Sequence, residues 1–160
     1  NEIIIASKSG RMVRFNEQEI RLMGRTASGV KGIDLDGDTV IGSEIVDSNE
    51  TILVVTEKGY GKKTKVEEYR LTHRGSKGVK ALNITEKNGF IVAFKIINEN
   101  NDLILSTNNG IIIRINSQKV PLLKRNTQGV RLITLKEKQI VTTVAIVEKF
   151  SETNSEEIQK

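Results

Sequence analysis

Lysines and arginines recur at matching positions along the chain, and they are the residues whose type and spacing could do chemistry. One set follows three turn glycines by four residues and comprises Arg14, Lys63 and Arg114. A second set follows three later glycines by two residues and comprises Lys31, Lys80 and Arg131. On strands, the alternation of side chains would place such residues on the solvent face. We predict that both sets contact the phosphates of a polyanion, and ordinary solvated charge is the alternative.

Two further groups of cations extend this pattern. Arg25, Arg74 and Arg125 each follow a turn glycine by fifteen residues. Their guanidinium groups could face phosphates or donate hydrogen bonds to loop carbonyls, and the strict spacing suits both roles equally. The middle of the chain adds a dense cluster, which we predict to make the tightest phosphate contact: Lys62, Lys63, Lys65, Arg70, Arg74, Lys77 and Lys80. Contacts of this kind position a nucleic acid without reading its sequence.

The acidic turn and the single histidine do not predict a metal site or a catalytic site. Asp34, Asp36 and Asp38 lie close together, but Gly37 falls at the wrong position for a calcium-binding loop, so we interpret this segment as a hairpin turn. His73 stands in a basic loop without a nearby pair of carboxylates. Cysteine is absent, which excludes thiolate chemistry and cysteine zinc sites. We expect no catalytic residue, no metal and no cofactor.

A repeat of the chain supplies the elements that must hold these cations at equivalent places. The turn glycines Gly10, Gly59 and Gly110 are 49 and 51 residues apart, and each follows a short apolar run. Each copy predicts two hairpins, with Val, Ile and Thr in the strands and Gly, Asn and Asp in the turns. In the first copy, residues 3–7 would pair with 11–15, and 30–35 with 39–46. The corresponding strands are 52–56, 60–64, 79–84 and 90–97 in the second copy, and 103–107, 111–115, 130–135 and 140–147 in the third.

The repeat predicts an all-β, propeller-like fold with three four-stranded blades. We place the blades at residues 1–50, 51–101 and 102–150, followed by an acidic tail at 151–160. Blades bury their faces by stacking on neighbours, and three of them would leave two open ends, so we expect a piece of a larger disc and of a longer protein. The net charges of these four segments are −3, +5, +5 and −2, which places the predicted basic surface in the last two blades.

The composition is typical of a soluble, folded protein. Hydrophobic residues make up 37% and charged residues 28% of the chain, and no apolar run approaches the length of a membrane span. No signal peptide is visible, so we expect a cytoplasmic protein without a membrane partner. The few aromatic residues form no stacking pattern suited to single strands, which favours binding to a duplex through its backbone.

The middle copy carries a resemblance to a known family. Residues 53–79 read LVVTEKGYGKKTKVEEYRLTHRGSKGV, which closely resembles the fifth blade of the C-terminal domain found in the DNA gyrase A subunit. The motif RNTQGV at 125–130 resembles the last blade, and the resemblance covers residues 3 to about 149. It implies a six-bladed β-pinwheel whose blades exchange strands with their neighbours, and this chain would hold the last three blades.

The same resemblance implies a function. Duplex DNA would bend around the outer edge of the disc and so support negative supercoiling by a bacterial, ATP-dependent type II topoisomerase associated with the nucleoid. The implied protein partners are the gyrase B subunit, together with the rest of the gyrase A subunit. The active-site tyrosine of the family lies in another domain, so neither Tyr60 nor Tyr69 inherits its role.

Two alternatives stay open. The QRRGGKG-like box that separates gyrase from its relative topoisomerase IV belongs to the first blade, which we expect this chain to lack, and HRGSKG at 73–78 resembles the box in a degenerate form without being the box. The first alternative is that the chain is the corresponding domain of topoisomerase IV. The second is that it is a propeller that binds proteins and uses its rim charges for solubility. On the favoured interpretation, the DNA-binding residues are Arg14, Arg25, Lys31, Lys62, Lys63, Lys65, Arg70, Arg74, Lys77, Lys80, Arg114, Arg125 and Arg131.

Overall fold

The computed structural model describes residues 1–149 and consists of antiparallel strands joined by turns and short 3₁₀ helices. The strands are β1 (Glu2–Ser7), β2 (Arg11–Asn16), β3 (Val40–Val46), β4 (Thr51–Thr56), β5 (Tyr60–Lys65), β6 (Val79–Lys80), β7 (Ile91–Ile97), β8 (Asn101–Thr107), β9 (Ile112–Asn116), β10 (Val130–Arg131) and β11 (Val141–Glu148). The 3₁₀ helices are Glu17–Glu19, Val66–Glu68 and Ser117–Lys119. The predicted acidic tail at 151–160 lies outside the described residues. In residues 1–149 we find no helix of the length and apolarity that crossing a membrane requires.

The strands form three sheets that correspond to the three copies of the repeat. The first has the strand order β3-β1-β2-β6 and the second has the order β7-β4-β5-β10. The third, within the described residues, has the order β11-β8-β9, so it contains three strands where the repeat predicted four. Strands β3, β7 and β11 lie side by side, so each sheet runs from an inner strand to an outer edge. This arrangement confirms the predicted all-β, propeller-like fold.

The first hairpin of each copy forms as predicted. Strand β1 pairs with β2, β4 pairs with β5, and β8 pairs with β9. Gly10 in the first turn has φ +92°, a left-handed conformation that glycine adopts without strain. The turn glycines that defined the repeat therefore mark the same structural position in each blade.

The second predicted hairpin of each copy is wrong. Strand β3 pairs with β1 rather than with residues 30–35, which carry only an isolated bridge from Ile33 to Ser76. In the second copy, the predicted strand 79–84 contributes only β6, which pairs with β2 of the first copy. Likewise β10 of the third copy pairs with β5 of the second. Side-chain alternation shows that a segment can be a strand, but it does not show which edge the strand joins. The observed exchange agrees with the one that the resemblance implied.

Two outer segments, residues 71–80 and 122–131, carry out this exchange. Segment 71–80 runs along β2, and segment 122–131 runs along β5, so each covers the outer edge of the preceding blade. Glycine permits the close approach, because a Cβ on Gly78 would lie 2.3 Å from the carbonyl oxygen of Met12. Each outer edge is therefore built by the chain of the following copy.

Apolar clusters fill the space between neighbouring blades. Tyr69 of the second copy is completely buried in a cluster with Ile4 and Met12 of the first copy and with Ile52 and Phe94 of its own. The corresponding cluster between the second and third copies contains Leu53, Val55, Leu103, Leu105 and Val120. Since each blade buries its faces against its neighbours, stacking stabilises the fold and leaves the outer edges to polar side chains.

Candidate nucleic-acid interface

Arg14 is buried, so the prediction that it lies on the solvent face is wrong. Its side chain is only 9% exposed, and its Nε lies 2.6 Å from Oε2 of Glu2. A terminal nitrogen of the guanidinium also donates a hydrogen bond of 2.8 Å to the carbonyl of Tyr69 in the next copy. Buried and exposed side chains do not alternate along β2, because the next blade packs against this strand and four consecutive residues of it are buried. The guanidinium therefore joins two blades and is unavailable to a ligand.

Lys62 is also buried, so it lacks the exposed position that its predicted DNA contact requires. Its Nζ donates hydrogen bonds to the carbonyls of Lys124 at 2.8 Å, Arg125 at 2.6 Å and Thr127 at 3.1 Å. Burial lowers the pKa of Lys62 to about 8, and the nearby charge of Arg125 contributes to this shift. The ammonium group therefore holds the second outer segment against β5.

The other two members of the first predicted set are less buried than Arg14. Arg114 is exposed, but its Nε lies 2.8 Å from Oδ2 of Asp102, and a terminal nitrogen donates to the carbonyl of Glu148 at 2.9 Å. Lys63 is half-buried on β5. The set at four residues after the turn glycine thus contains the buried Arg14, the ion-paired Arg114 and the half-buried Lys63. It does not form the predicted row of open phosphate contacts.

Arg74 and Arg125 donate hydrogen bonds to backbone carbonyls, which was the structural one of their two predicted roles. Arg74 donates to the carbonyl of Lys31 at 3.2 Å, and Arg125 donates to the carbonyl of Lys80 at 3.1 Å. Both are partly buried, whereas Arg25 is exposed. Each of the two arginines therefore caps the backbone of the basic residue that ends the corresponding segment of the previous copy. Their strict spacing follows from this contact.

The loop around Arg74 is fixed by one carboxylate. Oε2 of Glu19 accepts a hydrogen bond of 3.0 Å from the backbone nitrogen of Arg74, and Oε1 lies 3.0 Å from Nδ1 of His73. The backbone hydrogen bond from Arg74, followed by the contact with His73, lowers the pKa of Glu19 although partial burial opposes the shift. The single histidine is thus a loop contact on the surface.

Two members of the second predicted set, Lys80 and Arg131, lie at equivalent places on the outer edges, whereas Lys31 lies 4.0 Å from Asp34. Lys31, Lys80 and Arg131 are all exposed. Lys80 ends the first outer segment and faces Arg11, also exposed, directly across β6 and β2. Like charges at facing positions of two strands repel one another, so this pair favours an anion that bridges them. Arg11 was missed from sequence because only the first copy has a basic residue one position after the turn glycine.

Arg131 stands at the equivalent place on the next blade. It faces Tyr60 across β10 and β5, with its guanidinium carbon 5.6 Å from the centre of the tyrosine ring. It also donates a hydrogen bond of 3.2 Å to the Tyr60 hydroxyl. Stacking holds the guanidinium plane in place while its remaining donors face solvent. The two outer edges therefore present a cation at the same position.

The remaining predicted cations lie on the surface. Lys65, Arg70 and Lys77 are exposed. Lys65 is 3.9 Å from Glu67 and Lys77 is 3.9 Å from Asp36, and both pairs are well hydrated. Exposed ion pairs of this length are weak, so these ammonium groups stay available to a polyanion.

A basic groove that sequence reasoning missed lies beside Arg131. It has a volume of about 360 Å³ and is lined by the cations Lys58, Lys87, Arg131, Lys136 and Lys138 and by one carboxylate, Glu137. The lysines at 136 and 138 occupy the place that Asp36 and Asp38 hold in the first copy. A search for cations repeated in every copy passes over them for this reason. Comparing the same turn between copies would have found the change of sign.

The acidic turn of the first copy is held by hydrogen bonds that Asp38 accepts from backbone nitrogens. Asp38 accepts hydrogen bonds from the backbone nitrogens of Ser9 at 3.2 Å and Thr39 at 2.8 Å. Burial works in the opposite direction, but hydrogen bonds from Ser7, Ser9 and Thr39 together hold the pKa of Asp38 below its ordinary value. Across residues 1–149, no three His, Asp or Glu side chains are grouped so that they could hold a metal ion.

Known proteins resemble this chain along nearly its whole length. A family model described as "DNA gyrase C-terminal domain, beta-propeller" matches residues 1–47, 50–98 and 101–148. The DNA gyrase A subunit of Staphylococcus epidermidis (strain ATCC 12228 / FDA PCI 1200) is 48% identical over 149 residues, which cover 91% of this chain and 17% of that protein. The DNA gyrase A subunit of Staphylococcus aureus (strain MRSA252) is 44% identical over 161 residues, which cover 99% of this chain and 18% of that protein. The chain thus spans less than a fifth of the length of these relatives.

Solved structures have the same fold. The C-terminal domain of DNA topoisomerase IV matches with a TM-score of 0.85 and 26% identity, covering 100% of this chain and 52% of that one. A DNA gyrase A C-terminal domain matches with a TM-score of 0.80 and 24% identity, covering 91% of this chain and 50% of that one. Both structures share the architecture, while the family model and the relatives at 44–48% identity favour gyrase over topoisomerase IV. The chain belongs to the family of DNA gyrase C-terminal domains, which have the β-propeller fold.

Proposed function

We propose that this chain is a non-catalytic, DNA-wrapping part of the gyrase A subunit. It bends duplex DNA around its outer edges and so supports negative supercoiling by an ATP-dependent type II topoisomerase. The observation that carries this proposal is the placement of exposed cations at the same point of two successive outer edges, Lys80 beside Arg11 and Arg131 on Tyr60. Evenly placed cations on the outside of stacked blades suit a stiff polyanion that follows the edge from blade to blade.

Further exposed cations lie near these positions. Arg70 and Lys77 flank the first outer edge, and Lys124 lies in the second outer segment, all three exposed. The groove beside Arg131 adds further lysines. With contacts made to phosphates rather than to base edges, binding is expected to tolerate different sequences.

Electrostatic attraction must offset the cost of bending. Smooth bending of a 20–30 base-pair site by 40–90° costs about 1–6 kcal/mol. Each phosphate that a cation neutralises contributes about −0.9 to the slope of log K against log salt, so four to six contacts give a slope of about −4 to −5. Binding to duplex DNA is therefore expected to weaken steeply as salt rises.

A salt series tests the proposal. The affinity of the full chain for two duplexes of unrelated sequence is measured by fluorescence anisotropy from low to moderate salt. Replacing Lys80 or Arg131 by alanine is expected to make the slope less steep by about 0.9 each. Lys95→Ala is the matched control, because Lys95 is exposed on the inner strand β7, away from the outer edges. A flat salt response, or equal effects of all three variants, contradicts the proposal.

The proposed setting follows from the family. The gyrase B subunit is a proposed protein partner, as is the rest of the gyrase A subunit. The active-site tyrosine lies elsewhere in the same polypeptide, and the location is the cytoplasm, at the nucleoid. The blades at residues 1–50, 51–101 and 102–150 act as one DNA-binding unit, and no cofactor is required in this part. If the wild-type chain fails to bind duplex DNA even at low salt, the alternative of a protein-binding propeller is favoured.

A further inference from the structure

Each outer segment begins with an exposed leucine. Leu71 and Leu122 are 50% and 51% exposed, and Leu22 stands at the same position in the first copy. In all three copies a basic residue, which is Lys31, Lys80 or Arg131, follows this leucine by nine residues. The repeat thus keeps an apolar side chain at one end of the outer segment and a cation at the other.

The backbone holds these leucines in place. Leu71 bridges Arg14, and the next amide, that of Thr72, donates to the carbonyl of Arg14 at 2.7 Å. Leu122 bridges Lys63, and the amide of Leu123 donates to the carbonyl of Lys63 at 2.8 Å. A side chain on a backbone fixed in this way faces solvent at a defined place, so little order is lost when a ligand contacts it.

Packing within the fold does not account for the identity of the leucine. Two residues earlier, Tyr69 and Val120 are buried in the clusters between blades, whereas the equivalent Ile20 of the first copy is 42% exposed. In the second and third copies the buried position therefore differs in type, whereas the exposed position is leucine in both. Single exposed leucines are common on protein surfaces, but packing alone would restrict the buried position more than the exposed one.

We propose that Leu71 and Leu122 contact the apolar surface of the wrapped duplex between its phosphate contacts. This inference rests on the proposed function and adds a salt-independent part to the binding. Charge complementarity favours DNA as the occupant, because the exposed cation Arg70 directly precedes Leu71 and the exposed cation Lys124 closely follows Leu122. The apolar surface of a duplex consists of its deoxyribose faces and the methyl groups of thymine in the major groove.

The experiment compares complete salt series for Leu71→Ala, Leu122→Ala and the double variant in the full chain. We expect the dissociation constant to rise about fivefold per leucine, the size expected for losing contact with one or two methylene groups. The line of log K against log salt should shift in parallel, because no phosphate contact is removed. Ile45→Ala is the matched control, since Ile45 is 62% exposed on the inner strand β3.

The outcomes separate this inference from the proposed function. If wild type binds duplex DNA with a steep salt response and the leucine variants bind equally well, this inference is wrong and the proposed function stands. If wild type does not bind, the proposed function itself fails. A shallower slope in the leucine variants also overturns the inference, because the effect would then act through the cations.

The same series tests whether the leucines serve only the fold, and whether they contact deoxyribose or the methyl groups of thymine. Thermal unfolding of each variant is measured, and Leu→Met variants, which keep an apolar side chain of similar volume, should retain both folding and affinity. If Leu→Ala unfolds the chain, Leu→Gln takes its place, and unchanged DNA binding by a folded Leu→Gln protein overturns the inference. A duplex with uracil in place of thymine lowers wild-type affinity if the contact is with methyl groups and leaves it unchanged if the contact is with deoxyribose.

Discussion

At the residue scale, Lys62 shows that a cation in a basic cluster can serve the fold. It lies three residues after a turn glycine, where the other copies have Val13 and Ile113. A buried ammonium is costly unless its donors are satisfied, and here the carbonyls of the second outer segment accept them. The sequence did contain the signal, because an alignment of the copies marks this position as apolar in two of three.

The lowered pKa of Lys62 gives a prediction with a defined sign. In the unfolded chain this lysine keeps its proton up to about pH 10.5, whereas in the folded chain its pKa is about 8. Between these values the unfolded state binds more protons, so the free energy of unfolding contributed by Lys62 rises with pH. Urea unfolding of wild type and Lys62→Met is measured at several pH values. The free energy of unfolding of wild type minus that of Lys62→Met should increase from pH 8 to 10.5.

Other groups titrate in the same range, which makes the comparison with the variant essential. Burial raises the pKa of Tyr69 to about 12, but this residue is present in both proteins and its effect cancels. Below pH 8 the difference should be constant. A difference that stays constant up to pH 10.5 would mean that Lys62 is not held in a desolvated site.

At the element scale, the exchanged outer segments decide both the fold and the site. Hairpins between neighbouring strands were predictable, since their turns and alternation are local. The partners of β6 and β10 were not, because pairing with another copy depends on stacking between blades rather than on any pattern within the strand. This is also why Arg74 and Arg125 could not be assigned from sequence, since the carbonyls that they cap belong to the preceding copy.

Equivalent glycines in the three copies test the exchange directly. Gly29, Gly78 and Gly129 all have positive φ, so alanine at any of them costs about 1–2 kcal/mol. A Cβ at Gly78 or Gly129 would also lie 2.3 Å or 2.7 Å from a backbone oxygen of the strand that it pairs with, whereas Gly29 has nothing within 4 Å. In chemical denaturation, Gly78→Ala and Gly129→Ala should cost about 1–3 kcal/mol more than Gly29→Ala. Equal losses at all three would mean that the outer segments do not hold the observed position.

The two arginines at equivalent places of the first and third copies test the contact between blades. Arg14 is buried and bonds both Glu2 and the backbone of the next copy, whereas Arg114 is 42% exposed and bonds Asp102. Removing one partner of a buried ion pair costs about 3 kcal/mol or more, so Arg14→Ala should destabilise the chain by this amount. Arg114→Ala should cost less, about 1–3 kcal/mol, because Arg114 is partly hydrated but its removal leaves the carboxylate of Asp102, which is 9% exposed, without this partner. Thermal and urea unfolding of the pair measure this, and the reverse order would contradict the assigned role.

At the scale of the whole molecule, strand exchange moves charge from one blade to another. By sequence the first copy has a net charge of −3 and the second has +5, which predicted a basic surface in the last two thirds only. In the structure, segment 71–80 of the second copy covers the edge of the first blade and brings Lys80 opposite Arg11 and Lys77 beside Asp36. The basic edge therefore begins one blade earlier than the charge count indicates.

This displacement can be measured by charge reversal at equivalent positions. Lys80→Glu places a negative charge beside Arg11 on the edge of the first blade and should weaken binding of duplex DNA about tenfold at low salt, the effect of losing one phosphate contact. Lys31→Glu is the matched control, because Lys31 holds the same position in the repeat and is exposed. Lys31 lies 4.0 Å from Asp34, and in residues 1–149 the segment 22–31 pairs with no sheet edge.

Lys31→Glu should consequently reduce the affinity less than Lys80→Glu, although both changes alter the net charge by the same amount. If net charge alone attracted DNA, the two variants would lose affinity equally, since long-range attraction depends on total charge more than on placement. A larger loss for Lys80→Glu that diminishes as salt rises would instead locate the DNA on the exchanged edge, because only a direct phosphate contact distinguishes the two positions.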